Sequence, residues 1–243
     1  MRSVIGNWKM NMLGSEAEAF LSSFLATYQP KPGVEAGVAA PFTLLREMAT
    51  RLQGTGVNLY AQNGHAQPKG AYTGEISMVQ LKDAGCHGVL LGHSERRQYF
   101  GETEATLVPK IQAAWAHGLL PVLCIGETLE ERQGGTTLDV LRRQLAILSE
   151  TGFGPMTIAY EPVWAIGTGL VATTEQIAEV HAFIRAELVK LLGEQARDMG
   201  ILYGGSVTPD NFPEIIQVQD VAGGLVGGAS LDAAKLQKLV DQA

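Results

Sequence analysis

Glu161 closes an apolar, strand-like run and is followed by Pro162 and then "VWAIGTG" (163–169). Proline biases the residue before it toward extended backbone, so the carboxylate is aimed away from a strand end rather than wound into a helix. The glycines and small side chains beyond it suit a loop that swings and then seals, or simply an ordinary turn. A carboxylate shut away from water by such a loop becomes a stronger base, because desolvation raises its pKa.

Other residues supply what a general base needs around it. His93, in "GHSERR" (92–97), reads either as a hydrogen-bonded histidine at a core edge or as a donor to a carbonyl oxygen. Ser94 looks like a helix cap, and the positive end of a helix disfavours imidazolium and keeps the ring neutral. Lys9, beside Asn7 and Trp8, is a surface lysine by default, but just past an apolar strand its ammonium suits an anionic substrate. Glu95 is the expected partner of Lys9, and Arg96 and Arg97 read as structural or interfacial. Cys124 reads as a small buried hydrophobe and Glu127 as a helix start, with no chemistry assigned to either. "YGGSV" (203–207) and "GLVGGAS" (224–230) are tight turns when taken singly. As a pair they suit a phosphate held on backbone N–H groups.

The elements that must position these groups follow from apolar periodicity. Strands are expected at 3–7, 35–40, 57–62, 88–92, 121–126, 157–161, 201–205 and 222–227. Helices are expected near 15–28, 43–53, 77–84, 103–117, 136–150, 174–192, 209–217 and 231–242. In the sixth helix Ile177, Val180, Ile184 and Leu188 fall on one face, with Thr173 or Thr174 as cap. Doubly buried strands alternating with amphipathic helices imply a parallel sheet, and eight such units fit an α/β fold of the closed (β/α)8 barrel type, one domain over 1–243. An open doubly wound sheet fits less well, since no "GxGxxG" follows the first strand. In a barrel, Asn7, Lys9, His93, Glu95, Glu161, Ser206, Gly227 and Gly228 all follow or end strands, and so share one mouth.

Composition narrows the function classes. The 243 residues are 46% hydrophobic and 18% charged, with no apolar run near the roughly 20 residues that span a bilayer. A net charge of -7 argues against a nucleic-acid partner. The start, "MRSVIGNWKM", lacks a secretory h-region, and Cys86 and Cys124 match no zinc spacing, so a cytoplasmic protein with free thiols is expected, without metal or cofactor.

Taken together, "GNWKMN", "GHSERR", "YEPVWAIGTG" and "YGGSV" resemble the signature segments of the triose-phosphate isomerases, in order along essentially the whole chain. The resemblance implies a TIM barrel that interconverts dihydroxyacetone phosphate and D-glyceraldehyde 3-phosphate in glycolysis and gluconeogenesis. It implies Glu161 as the base for the carbon-bound proton and His93 as the group polarising the carbonyl and shuttling protons between enediolate oxygens. Asn7 and Lys9 would bind substrate and stabilise charge, and the N–H groups of Gly167, Ser206, Gly227 and Gly228 would hold the phosphate. It also implies a homodimer in which Thr73, on the 62–75 loop, supports the partner's Lys9, with Met10 bordering the contact. Two segments depart from the family's pattern: "LVA" (170–172), where the lid usually has a lysine or similar residue followed by threonine and alanine, and "NGHAQPKG" (63–70).

Two rival readings remain at this level. A Schiff-base aldolase would share the phosphate loops and use Lys9, the only obvious lysine at the mouth. A catalytically dead barrel kept as a scaffold could lose Glu161 or His93 freely.

Overall fold

The computed structural model describes residues 1–167 and 170–243. Eight parallel strands close into a barrel in chain order: β1 (Arg2–Asn7), β2 (Val34–Ala40), β3 (Val57–Ala61), β4 (Gly88–Leu91), β5 (Leu120–Ile125), β6 (Thr157–Tyr160), β7 (Ile201–Tyr203) and β8 (Gly223–Val226). Closure is made by β1 pairing with β2 on one side and β8 on the other, with Val4 opposite Ala36 and Gly224. The expected α/β barrel is therefore the observed one.

Strand periodicity divides the core in two. Ile5, Ala39, Tyr60, Leu90, Val122, Cys124, Ala159, Leu202 and Leu225 pack together as one cluster, the filling of the barrel. Their sequence neighbours, such as Val4, Val38, Leu91, Leu123, Ile158 and Tyr203, belong to the second cluster that the helices cover. Successive strand side chains point to opposite faces, so an apolar strand feeds both layers.

The helices are α1 (Gly14–Thr27), α2 (Leu45–Leu52), α3 (Met78–Asp83), α4 (Ser94–Phe100), α5 (Glu104–Ala116), α6 (Leu129–Gln133), α7 (Thr137–Leu145), α8 (Leu148–Thr151), α9 (Thr174–Leu192), α10 (Phe212–Ile215) and α11 (Ala233–Gln242). α9 matches its expected bounds and buries Ile177, Val180, Ile184 and Leu188. Thr173 caps it by accepting the Gln176 N–H at 3.3 Å, and Gln176 Oε1 accepts the Thr173 N–H at 3.0 Å. The helix expected over 136–150 is broken at Ala146–Ile147, because the Ser149 N–H and hydroxyl both bond the Ala146 carbonyl, at 3.1 and 2.8 Å, and tighten the turn. The helix expected over 43–53 begins as a 3-10 turn, Phe42–Leu44, and 209–217 shortens to α10. α4 and α6 lie outside the eight helices expected from periodicity, each being too short for an amphipathic repeat to show, although Ser94 and Glu127 point to a helix start within one residue of the N-cap of each.

One buried group gives the fold a pH dependence. His181 on α9 is fully buried, with Nδ1 3.3 Å from the Asp220 carbonyl and its ring edge-on to Tyr160. Burial, helped by the Arg185 charge and opposed by Asp220, pushes its pKa down to about 4 from 6.5. The folded pKa lies below the unfolded one, so the unfolded chain takes the proton first. This contribution is complete above pH 6.5 and is lost as pH falls from there toward about 4. The loss expected is about 3 kcal/mol. Denaturant unfolding of the protein and of His181→Gln across that range should show a steeper loss of stability toward acid in the former. Parallel curves would place the acid sensitivity elsewhere.

Candidate active site

The strand ends bring the expected residues to one mouth. A cavity of about 270 Å³ is lined by Asn7, Lys9, His93, Glu161, Gly167, Ser206, Gly227 and Gly228, together with Asn11, Ile166, Gly204, Gly205, Val207, Thr208, Leu225 and Leu231. This volume suits a small metabolite, below the range of drug-sized ligands. Glu95 lies at its rim beside Lys9, whereas Thr73 lies in the exposed 67–75 stretch and is not among the cavity residues. The lid residues Thr168 and Gly169 of "AIGTG" lie outside the described residues.

Glu161 directly follows β6 and is only 2% exposed. Its Oε1 is 3.1 Å from His93 Nε2, and its Oε2 accepts the Ser94 N–H at 3.2 Å. Space for its stem depends on glycine, since a Cβ at Gly204 would stand 2.9 Å from Glu161 Cγ. One contact on each oxygen leaves the carboxylate further lone pairs, and it lines the cavity as it stands.

His93, not Ser94, is the N-cap of α4: its Nδ1 accepts the Glu95 N–H at 3.2 Å. An accepting Nδ1 carries no proton, which leaves Nε2–H to donate, the tautomer suited to a carbonyl oxygen. The helix end, which favours the neutral ring expected from sequence, is only part of the ring's surroundings. Burial favours the neutral ring, but the Glu161 charge and hydrogen bond, followed by Glu95, outweigh burial and the smaller effect of Lys9 and raise the pKa from 6.5. It follows that in Glu161→Gln the His93 pKa should fall below its value in the parent, which ¹⁵N NMR titration measures. An unchanged or higher value would contradict the assignment of Glu161 as the group that holds it up.

Lys9 Nζ is paired to Glu95 Oε1 at 2.6 Å, the pairing expected from sequence. The backbone of Lys9 is left-handed, at φ 51, a conformation costing on the order of 1–3 kcal/mol in a non-glycine residue. It is held there by the Lys9 N–H donating to Asn7 Oδ1 at 3.0 Å and the Gln62 amide donating to the Lys9 carbonyl at 2.8 Å. This backbone starts the side chain toward the cavity that it lines, and the Glu95 pair holds its ammonium.

Opposite these groups, the loops after β6 and β7 are tied to each other, and the loop after β8 is tied within itself. Ser206 Oγ donates to the Ala165 carbonyl at 2.6 Å, and Ser230 Oγ donates to the Gly227 carbonyl at 2.7 Å. Trp8 Nε1 donates to the Ser230 carbonyl at 3.1 Å, which links the loop after β1 to that after β8. Gln62, Trp8 and Ser230 were not singled out from sequence, although Gln62 directly follows β3 and the strand-end rule could have found it. Glu127 is not a helix start, since Thr128 caps α6. It is fully buried and accepts from Tyr160 Oη at 3.1 Å and Trp164 Nε1 at 2.9 Å, anchoring the start of the loop after β6. Cys124 and Cys86 are buried free thiols, as expected.

A closed parallel barrel with a buried carboxylate, an imidazole and a lysine facing a glycine-rich wall is the layout of an α/β-barrel enzyme working by acid–base chemistry. The family model described as triosephosphate isomerase matches residues 2–243. The chain is 46% identical over 239 residues to the triosephosphate isomerase of Thermodesulfovibrio yellowstonii, covering 98% of this chain and 97% of that one. It is 48% identical over 242 residues to that of Citrifermentans bemidjiense (98% and 96%) and 49% identical over 240 residues to that of Herpetosiphon aurantiacus (97% and 96%). The chain belongs to the triosephosphate isomerase family, and it is an isomerase.

Proposed function

We propose that this chain interconverts dihydroxyacetone phosphate and D-glyceraldehyde 3-phosphate through an enediolate, in glycolysis and gluconeogenesis, as a cytoplasmic homodimer with one barrel domain over 1–243. The observation that carries the reading is the 3.1 Å contact of Glu161 with His93 in a small cavity whose other wall is made by Gly167, Ser206, Gly227 and Gly228. Glu161 takes the carbon-bound proton and returns it to the neighbouring carbon. The C–H electron pair moves into the new carbon–carbon double bond, and the carbonyl oxygen takes up the charge. His93 donates Nε2–H to that oxygen and shuttles protons between the two oxygens, while Lys9 and Asn7 stabilise the charge as it develops. The glycine N–H groups and that of Ser206 hold the phosphate. Isomerase assay of the purified protein tests this, and borohydride treatment with substrate should trap no adduct on Lys9. An adduct without isomerisation would favour the aldolase.

The dimer is supported by residues 67–75, a continuous exposed stretch whose root is ordered by the His65 N–H bonding the Ile76 carbonyl at 2.8 Å and by Tyr72 packing tilted against His65, ring centroids 4.3 Å apart. Next to Lys9, a cavity of about 330 Å³ includes Met10, Phe42 and Phe100, which are 96%, 40% and 68% exposed. Exposed apolar groups beside a functional lysine suit a cover from a second copy, with Thr73 near the partner's Lys9. Shortening the 62–75 loop should yield monomers of much reduced turnover, by sedimentation and assay. Monomers retaining full turnover would show that each barrel completes its own site.

A further inference from the structure

Gly92 directly precedes His93 and takes φ +73; a Cβ there would meet Arg97 Nη2 and Leu107 Cδ1 at 3.0 Å and the Cys124 carbonyl oxygen at 3.1 Å. Charged side chains hold both of its backbone groups. Glu102 Oε2 accepts the Gly92 N–H at 3.0 Å, and Arg97 Nε donates to the Gly92 carbonyl at 2.7 Å. Arg97 Nη1 also donates to Glu104, at 2.8 Å, and Nη2 to the Cys124 carbonyl, at 3.3 Å. Glu102 reaches back to Gly92 because Gly101, at φ 63, ends α4 and reverses the chain. Its side chain is 2% exposed, and Oε1 takes the Lys110 ammonium, which also donates to Asn63 Oδ1 at 3.0 Å. Neither Glu102 nor Lys110 lines the cavity.

A carboxylate this deeply buried is costly to desolvate and persists where it is paired and hydrogen-bonded. Here the second oxygen accepts one backbone N–H beside His93, with Arg96 Nε 3.8 Å away as a looser ionic neighbour. Fixing the N–H and C=O of Gly92 fixes the two torsions that place the His93 backbone, and the Nδ1 bond to the Glu95 N–H then sets where Nε2 stands. We propose that Glu102, neutralised by Lys110, is a positioning residue that sets the direction of the His93 ring through the Gly92 backbone. The Lys110 bond to Asn63 extends the same network to the root of the 62–75 loop. The inference rests on the isomerase reading of His93.

Two charge-balanced double variants test it. Glu102→Gln/Lys110→Met keeps an acceptor for the Gly92 N–H, while Glu102→Leu/Lys110→Met removes it; both remove the Glu102–Lys110 pair, and in both Arg96, whose Nε lies 3.8 Å from Glu102 Oε2, loses that carboxylate alike. Because misplacement by about 1 Å costs on the order of 100-fold, the Leu variant should lose about tenfold or more in kcat, with KM and inhibition by inorganic phosphate unchanged. The Gln variant should stay within about threefold of the parent, a rescue that a purely electrostatic role would not separate. Equal kcat in the two folded doubles would overturn the proposal. Should the Leu variant not fold, ¹H–¹⁵N NMR of Glu102→Gln decides: the Gly92 amide and His93 Nε2–H signals should shift together, and a Gly92 shift with His93 unmoved would overturn it. That readout needs no turnover. If His93→Gln keeps full turnover, the isomerase reading of His93 fails on its own, whatever the NMR shows.

Discussion

Glu161→Gln is expected to lose turnover by about 10²- to 10⁴-fold or more, the range typical of removing a positioned general base. The amide keeps the shape of the carboxylate, so Gln can still accept the Ser94 N–H now bonded at 3.2 Å, and the fold should be unaffected. What it lacks is a basic lone pair for a carbon-bound proton. Glu161 does not touch the glycine wall formed by Gly227 and Gly228, so inorganic phosphate should inhibit the variant and the parent at similar concentrations. The rate measurement therefore isolates the chemical step from binding. Turnover near the parent's would remove Glu161 from the mechanism, and loss of phosphate inhibition would mean that the substitution had disturbed the cavity itself.

The second large effect is expected from deleting Ile166–Gly169. Ile166 and Gly167 line the cavity, and the segment springs from a root held at three points: Trp164 to Glu127, the Ala165 carbonyl to Ser206, and the Val163 N–H to the Glu127 carbonyl at 3.0 Å. An enediolate phosphate open to water has two exits. It can accept a proton on carbon, or its C–O bond can break with inorganic phosphate leaving on the electron pair, which yields methylglyoxal. A lid that holds the phosphate in the plane of the enediolate oxygens and excludes water suppresses the second exit. The deletion should lower isomerase turnover and divert a larger fraction of each turnover to methylglyoxal and phosphate. Quantifying both products is the test. Slower turnover with unchanged partition would mean that the segment positions Glu161 without protecting the intermediate. Substitutions at Leu170–Ala172, where the sequence departs from the family's pattern, should change the opening rate and leave the partition alone.

Much of this molecule is legible in its sequence, because the signals concerned are local. Alternation of short apolar runs with helical stripes specifies eight strand–helix units, since a doubly buried strand and an amphipathic helix each carry their burial pattern in their own residues. Strand-end position then gathers Asn7, Lys9, His93, Glu161, Ser206, Gly227 and Gly228 at one mouth, as each lies at or just past an apolar run. The Thr173 cap is legible for the same reason: its partner Gln176 is three residues away. Tertiary structure decided whatever depends on groups distant in sequence. Glu161 is held by Ser94 across 67 residues, and its charge turns the His93 pKa upward where the helix end alone would turn it down. Gln62 reaches back 53 residues to hold the strained Lys9 backbone, and Glu127 is drawn from an apparent helix start into the root of the lid. None of these partners follows from periodicity or propensity, which describe a chain's relation to its own neighbours. Closing the barrel brings β1 against β8, and only then do Trp8 and Ser230, 222 residues apart, share a hydrogen bond.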